Sequence, residues 1–298
     1  MFQFGRLITA MATPFSANGN LNIAEALKLG DHLVATGTTT ILLAGTTGES
    51  PTLTHDEEFE LFAAFVKHFK GRAKIMAGTG SNCTRTAIQS TQEAEKIGVD
   101  AVLQVVPYYN KPSQEGLFQH FSAIANSTAL PILLYNIPGR TSRNMEPETV
   151  ARLATVANIF GIKEAAGDVE QVKKIKALCP NEFLIYSGDD GLTLPFMKAG
   201  AVGVVSVAAH LVGTEIAEMM ALATSGDMAK AAAIDEKLAP IFTALFIAPN
   251  PAPLKAALNL IGFDMGIPRL PLVPTTEAET ALIKDALLKS APNTQLVR

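Results

Sequence analysis

The sequence predicts an α/β fold, a (β/α)8 TIM barrel with a C-terminal helical extension. Three observations lead there. Eight short apolar runs alternate with helical segments over about the first 225 residues. Most of the runs are apolar on both faces, as the strands of a helix-covered parallel sheet must be. The residues able to do chemistry fall after the ends of these runs, and in a barrel all of those ends share one face. Eight is the number that closes a barrel, although a doubly wound sheet could use six or seven of the runs.

The first run is Leu7–Ala12, stopped by Thr13-Pro14, and a helix follows from about Asn22 to Thr36. The second, Thr40–Ala44, leads into Gly45-Thr46-Thr47-Gly48-Glu49-Ser50; Thr54 and Glu57 then stand at capping-box spacing for a helix through about Phe69. The third is Lys74–Gly78, with a polar loop and a helix to Ile97. The fourth, Ala101–Val106, ends at Pro107-Tyr108-Tyr109-Asn110 and precedes a helix from about Ser113 to Ser127. The fifth, Ile132–Tyr135, ends at Asn136-Ile137-Pro138-Gly139-Arg140, and Pro147 suits the first turn of the next helix. The sixth, from Ile159, ends at Lys163; Asp168 and Gln171, at capping-box spacing, mark the helix after it. The seventh, Phe183–Ser187, ends at Gly188-Asp189-Asp190, and the eighth, Val202–Val207, is followed by a helix from about Thr214. Beyond Gly226 the pattern is helical only: about Met228–Phe246, Ala252–Ile261 and Thr276–Lys289, with prolines between. The expected division is therefore a barrel over 1–225 and a helical region over 226–298 packed on it.

With 48% apolar and 17% charged residues, the 298-residue chain can fill a large core. A net charge of −4 without a basic run argues against nucleic acid and anionic membranes. No apolar run reaches membrane-spanning length, and Met1–Arg6 does not open a signal peptide. Cys83 and Cys179 are far apart and form no CxxC, so both are expected reduced and semi-buried in a soluble cytoplasmic protein. The five histidines form no HExxH set, and there is no phosphate-loop or dinucleotide fingerprint; no metal and no nucleotide are inferred.

Lys163 at the tip of an apolar strand is poorly solvated. Burial disfavours an ammonium and frees a neutral amine, the requirement for a Schiff-base lysine. Taken alone it reads rather as a lysine that snorkels to solvent at a strand end. Its companions on the same rim change that balance. Tyr135 is one strand away and can move protons at the amine, with the Thr47 hydroxyl and Tyr109 as relay members. The amides and hydroxyls of Thr46 and Thr47 can hold a carboxylate without buried positive charge. Arg140 can grip a second carboxylate bidentately, which suggests a second acidic substrate. Asp189 and Asp190 are adjacent, point apart, and read as helix caps rather than an acid–base pair.

Four stretches together, Gly45–Ser50, Pro107–Pro112, Tyr135–Arg140 and Gly161–Glu164, closely resemble the dihydrodipicolinate synthase family of pyruvate-dependent class I aldolases, the group sometimes named after N-acetylneuraminate lyase. The resemblance runs over essentially the whole chain, including Asn250–Lys255. It implies a homotetramer built as a dimer of dimers, acting on pyruvate and L-aspartate 4-semialdehyde in lysine and diaminopimelate biosynthesis to give 4-hydroxy-tetrahydrodipicolinate. No cofactor is implied beyond the covalent imine on Lys163. By matching position, Tyr135, Thr47 and Tyr109 resemble the family's proton relay, Tyr109 reaching in from a neighbouring subunit. Thr46, Thr47 and Val205 would surround pyruvate, Gly188 would line the pocket, and Arg140 would meet the semialdehyde carboxylate. Ser50, His55, Asn82 and Tyr108 match an L-lysine regulatory site. Glu58 and Thr86 depart from it, Glu58 replacing a common histidine and Thr86 an acidic ligand, which implies weak or absent lysine feedback. A sister aldolase acting on N-acetylneuraminate or a 2-keto-3-deoxy-sugar acid shares the lysine, tyrosine and threonine turn, but neutral polyol substrates need no arginine at 140. A non-catalytic keto-acid-binding barrel is the remaining alternative.

Overall fold

In the computed structural model, which describes residues 4–297, eight parallel strands bond in chain order and close on themselves as a barrel. Residues 1–3 of the opening Met1–Arg6 segment lie outside the described residues. The strands are β1 (Leu7–Ala10), β2 (Thr40–Leu43), β3 (Lys74–Gly78), β4 (Ala101–Val105), β5 (Ile132–Asn136), β6 (Ile159–Glu164), β7 (Leu184–Ser187) and β8 (Gly203–Ser206). They are short and rich in Ile, Leu and Val, residues that fit a pleated surface buried on both sides.

Alternation along each strand sorts the side chains into two cores. Ile8, Leu42, Met76, Leu103, Leu133, Tyr135, Tyr186 and Val205 fill the barrel. Leu7, Ile41, Ile75, Val102, Leu134, Ile162, Ile185 and Val204 face the helices. Gly161 is required by this closure: a Cβ there would lie 2.3 Å from the Leu184 carbonyl oxygen of the next strand.

The outer layer comprises α1 (Ile23–Ala35), α2 (His55–His68), α3 (Thr84–Ile97), α4 (Gln114–Ala125), α5 (Pro138–Thr141), α6 (Pro147–Leu153), α7 (Val169–Leu178), α8 (Thr193–Lys198) and α9 (Ala209–Ser225). The helices α10 (Met228–Ala244), α11 (Ala252–Leu260) and α12 (Glu277–Ser290) follow; α10 packs on α9 and α12, and α11 on α12. The Thr54–Glu57 and Thr276–Glu279 capping boxes both form.

Four local expectations are corrected. Asp168 caps α7, but Gln171 does not reach back to it; its side chain turns inward to Glu164 and Asn144. The helix after β8 starts at Ala209 rather than Thr214, because Ser206 Oγ accepts from the Ala209 amide and Asp190 from those of Val207 and Ala208. The backbone breaks at Val212, so Thr214 begins only the second part of α9. The stretch after β5 contains a short helix, α5, started by Pro138. Cys83 is exposed at the N-terminus of α3, while Cys179 is half-buried.

Candidate active site at the C-terminal mouth of the barrel

The pairing of β5, β6 and β7 sets Tyr135, Lys163 and Tyr186 side by side in register. Residues in register on parallel strands point to the same face, here the barrel interior. Lys163 is 5% exposed, and its Nζ lies 4.2 Å from the centroid of the Tyr135 ring. Next to Lys163, Glu164 points outward. Its carboxylate accepts from Asn136 Nδ2 (3.1 Å to each oxygen), the Ala166 amide (2.7 Å) and Gln171 Nε2 (3.1 Å). Burial pushes the Glu164 carboxyl up, against the pull of these donors. This network ties the end of β5 to the end of β6 and to α7, and so holds the backbone that carries Tyr135 and Lys163.

Gly188 follows β7, and its amide donates to the Glu164 carbonyl (2.8 Å). A Cβ there would stand 2.6 Å from Ala165 Cβ and 3.1 Å from Lys163 Cε. Only glycine leaves the lysine stem its space. Val205 is buried in the same inner core. The two aspartates after β7 diverge: Asp189 caps the next turn through the Gly191 amide, and Asp190 is buried, accepting from Ser206 Oγ (2.5 Å) and two amides of the β8 loop.

The turn after β2 is folded by Ala44 and Glu49, both at positive φ. Thr46 is half-buried at its surface and Thr47 fully buried below. The turn is bound from both ends of the chain. Thr13 Oγ1 donates to the Gly48 carbonyl (2.7 Å), and Asn250 Nδ2 donates to Thr47 Oγ1 (2.9 Å). The Glu49 carboxylate is buried against Lys255 Nζ (2.6 Å) and accepts from the Arg269 amide (2.8 Å). Burial pushes the Lys255 ammonium pKa down, and Glu49 opposes that shift. Arg269 itself forks onto Glu57, holding that carboxyl down to about 2.

At the entrance, a cavity of about 430 Å³ is lined by Thr46, Tyr135 and Arg140 and runs between α2 and α3 to Ser50, His55 and Tyr108. Arg140 is exposed on α5, and its guanidinium makes no hydrogen bond or ion pair among the described residues. Glu58 and Thr86 both line this cavity. Glu58 Oε2 meets His55 Nδ1 at 3.1 Å, and burial pushes its carboxyl up to about 7. Asn82 sits beside the cavity, where Asn82 Nδ2 donates to the Tyr108 carbonyl and Asn110 Nδ2 to the Asn82 carbonyl.

Tyr109, unlike Tyr135, is not set beside Lys163 by the strand register of its own chain. It is 88% exposed, with φ +74°, on a loop pinned by those Asn82 bonds. Among the described residues, every non-glycine at positive φ lies after β2, β4 or β5, on this same rim. Such strain persists where surrounding contacts impose it, often at functional sites.

Sequence reasoning did not single out Asn250, Glu49 or Lys255 for the site. The contacts span some two hundred residues, and the only local signal is a lysine inside the apolar segment Ala252–Leu260. Among the described residues no group of three or more His, Cys, Asp or Glu could hold a metal ion, and no helix is long and apolar enough to cross a membrane.

A closed parallel barrel that buries an amine against a tyrosine at its C-terminal mouth belongs to the enzyme class of (β/α)8 barrels. The particular family follows from comparison. The Dihydrodipicolinate synthetase family matches residues 3–290, and the chain belongs to it. A 4-hydroxy-tetrahydrodipicolinate synthase from Microcystis aeruginosa is 56% identical, over 94% of this chain and 95% of that protein. The crystal structure of a dihydrodipicolinate synthase from Bacillus anthracis is 48% identical with a TM-score of 0.94, covering 96% of this chain and 98% of that one. The enzyme from Cyanidioschyzon merolae, solved with lysine bound, is 45% identical with a TM-score of 0.95 and the same coverage.

Proposed function

We propose that this chain is a lyase that condenses pyruvate with L-aspartate 4-semialdehyde to 4-hydroxy-tetrahydrodipicolinate, in lysine and diaminopimelate biosynthesis. The observation that carries this reading is the buried Lys163 amine over the Tyr135 ring. The amine attacks C2 of pyruvate, and loss of water leaves an imine. The protonated imine is an electron sink, so a methyl proton is lost to give an enamine. The enamine carbon attacks the semialdehyde aldehyde; the semialdehyde amine then attacks C2, closes the ring and releases Lys163. Each step moves a proton near the amine, and the Tyr135 hydroxyl with Thr47 and Tyr109 carries it.

Thr46 and Thr47 bind the pyruvate carboxylate, with Val205 and Gly188 shaping the pocket. The unpaired Arg140 guanidinium receives the semialdehyde carboxylate. The chemistry needs no cofactor beyond the imine on Lys163. Tyr109 is exposed on its own chain, which fits completion of the relay by a second subunit in a homotetramer of two dimers. In this reading residues 1–225 are the catalytic barrel and 226–298 a helical region that braces its mouth, in a cytoplasmic enzyme. Ser50, His55, Asn82 and Tyr108 form the remnant of a lysine-binding regulatory site.

Borohydride reduction in the presence of pyruvate tests the reading. The expected product is a single adduct on Lys163. An adduct at another lysine, or none, would overturn it.

A further inference from the structure

Thr47 Oγ1 has one proton to give and two positions at which to accept. One acceptor position is taken by Asn250 Nδ2 at 2.9 Å, and both residues are buried. Among the described residues no acceptor takes the Thr47 proton. That proton cannot turn toward the amide nitrogen, so it is left free for an acceptor outside the pair.

Two further features show that the contact is built rather than incidental. Among the described residues Asn250 Oδ1 is buried without a partner. A buried unpaired oxygen is costly, and an apolar side chain at this place would avoid that cost, so packing alone does not account for the amide. The same short stretch also grips the turn a second time: Lys255, five residues on, pairs with Glu49 at 2.6 Å, two residues beyond Thr47. The chain from Asn250 to Lys255 thus holds this turn at two points, Thr47 and Glu49.

We infer that Asn250 is a positioning residue that fixes the direction of the Thr47 hydroxyl, making it accept from the C-terminal region and donate toward the reacting centre. The inference rests on the reading of Thr47 as a relay member.

The test measures kcat, pyruvate KM and the pH profile of Asn250→Ala, Asn250→Asp, Thr47→Val and the Thr47→Val/Asn250→Ala double variant. Circular dichroism confirms the fold in each case, and the isosteric Asn250→Asp serves if Asn250→Ala does not fold. Loss of one hydrogen bond that orients a reacting group predicts a fall in kcat of about tenfold for Asn250→Ala. The Asn250→Asp carboxylate accepts the Thr47 proton and silences it; once protonated, the acid can donate again. Its activity relative to wild type should therefore rise as pH falls, a signature that a merely structural role would not give. In the Thr47→Val background Asn250→Ala should add no further loss. Wild-type kcat in Asn250→Ala beside an impaired Thr47→Val, additive losses in the double variant, or a wild-type pH profile in Asn250→Asp would each overturn the inference and leave the Thr47 reading standing. Unimpaired Thr47→Val would instead remove the relay reading, and the inference with it.

Discussion

Tyr135 and Lys163 share one register position on adjacent strands, and the lysine amine rests 4.2 Å from the tyrosine ring centroid. The ring holds the lysine stem, and the hydroxyl is the part available for proton transfer. Tyr135→Phe separates the two roles. It should retain the fold and the adduct site while kcat falls by about 10²–10⁴, the range typical of a lost general acid–base. Steady-state kinetics beside a thermal melt checks this; a loss below threefold would remove Tyr135 from the relay.

Gly188 offers a steric test of the same lysine. The added methyl of Gly188→Ala meets Ala165 Cβ at 2.6 Å and presses on Lys163 Cε. Overpacking of this kind costs about 1–3 kcal/mol. The expected result is a modest fall in Tm and a larger fall in the rate of borohydride trapping with pyruvate. Trapping at the wild-type rate would show that the Lys163 stem can move aside.

The cavity between α2 and α3 gives a prediction on regulation. Thr86 lines it where an acidic ligand for an ammonium is expected, and the carboxyl that is present, Glu58, is engaged by His55 and shifted up to about 7. Sub-millimolar L-lysine should leave the activity unchanged. Thr86→Glu supplies a charged acceptor worth about 1.5–3 kcal/mol, or roughly ten- to a hundredfold in inhibitory concentration. Inhibition of the wild type by sub-millimolar lysine would refute the first statement, and an unresponsive Thr86→Glu the second.

The barrel was legible in the sequence because its strands are buried on both faces and therefore appear as unbroken apolar runs. The rim residues were legible because each stands at the end of such a run. What escaped is what depends on distant partners. Gln171 has capping-box spacing, yet Asn144 Nδ2 donates to its Oε1 and its Nε2 donates to the buried Glu164 carboxylate, which turns it away from the helix start. Ala209 begins a helix because Ser206, at the end of β8, and Asp190, from the distant turn after β7, satisfy the amides at its start. Asn250 and Lys255 belong to the C-terminal region by position and to the mouth of the barrel by contact.

His210 carries the prediction on pH. It is fully buried, with Nδ1 donating to the Val207 carbonyl (2.8 Å) and Nε2 accepting from the Ala12 amide (3.1 Å). That arrangement fixes the neutral tautomer and joins the loop after β1 to the one after β8. Burial, aided by repulsion from His32, pushes its pKa down to about 4, against about 6.5 in the unfolded chain. Between those values the unfolded chain binds the extra proton, so the contribution of His210 is complete above pH 6.5 and is lost as pH falls to 4. The full amount is about 3 kcal/mol. Glu58, Glu164 and Asp190 are shifted upward and act with the opposite sign, so the term is read as a difference. The Tm advantage of wild type over His210→Gln should be largest at pH 7 and shrink toward pH 4. An advantage constant across that window would mean that His210 does not titrate as its burial requires.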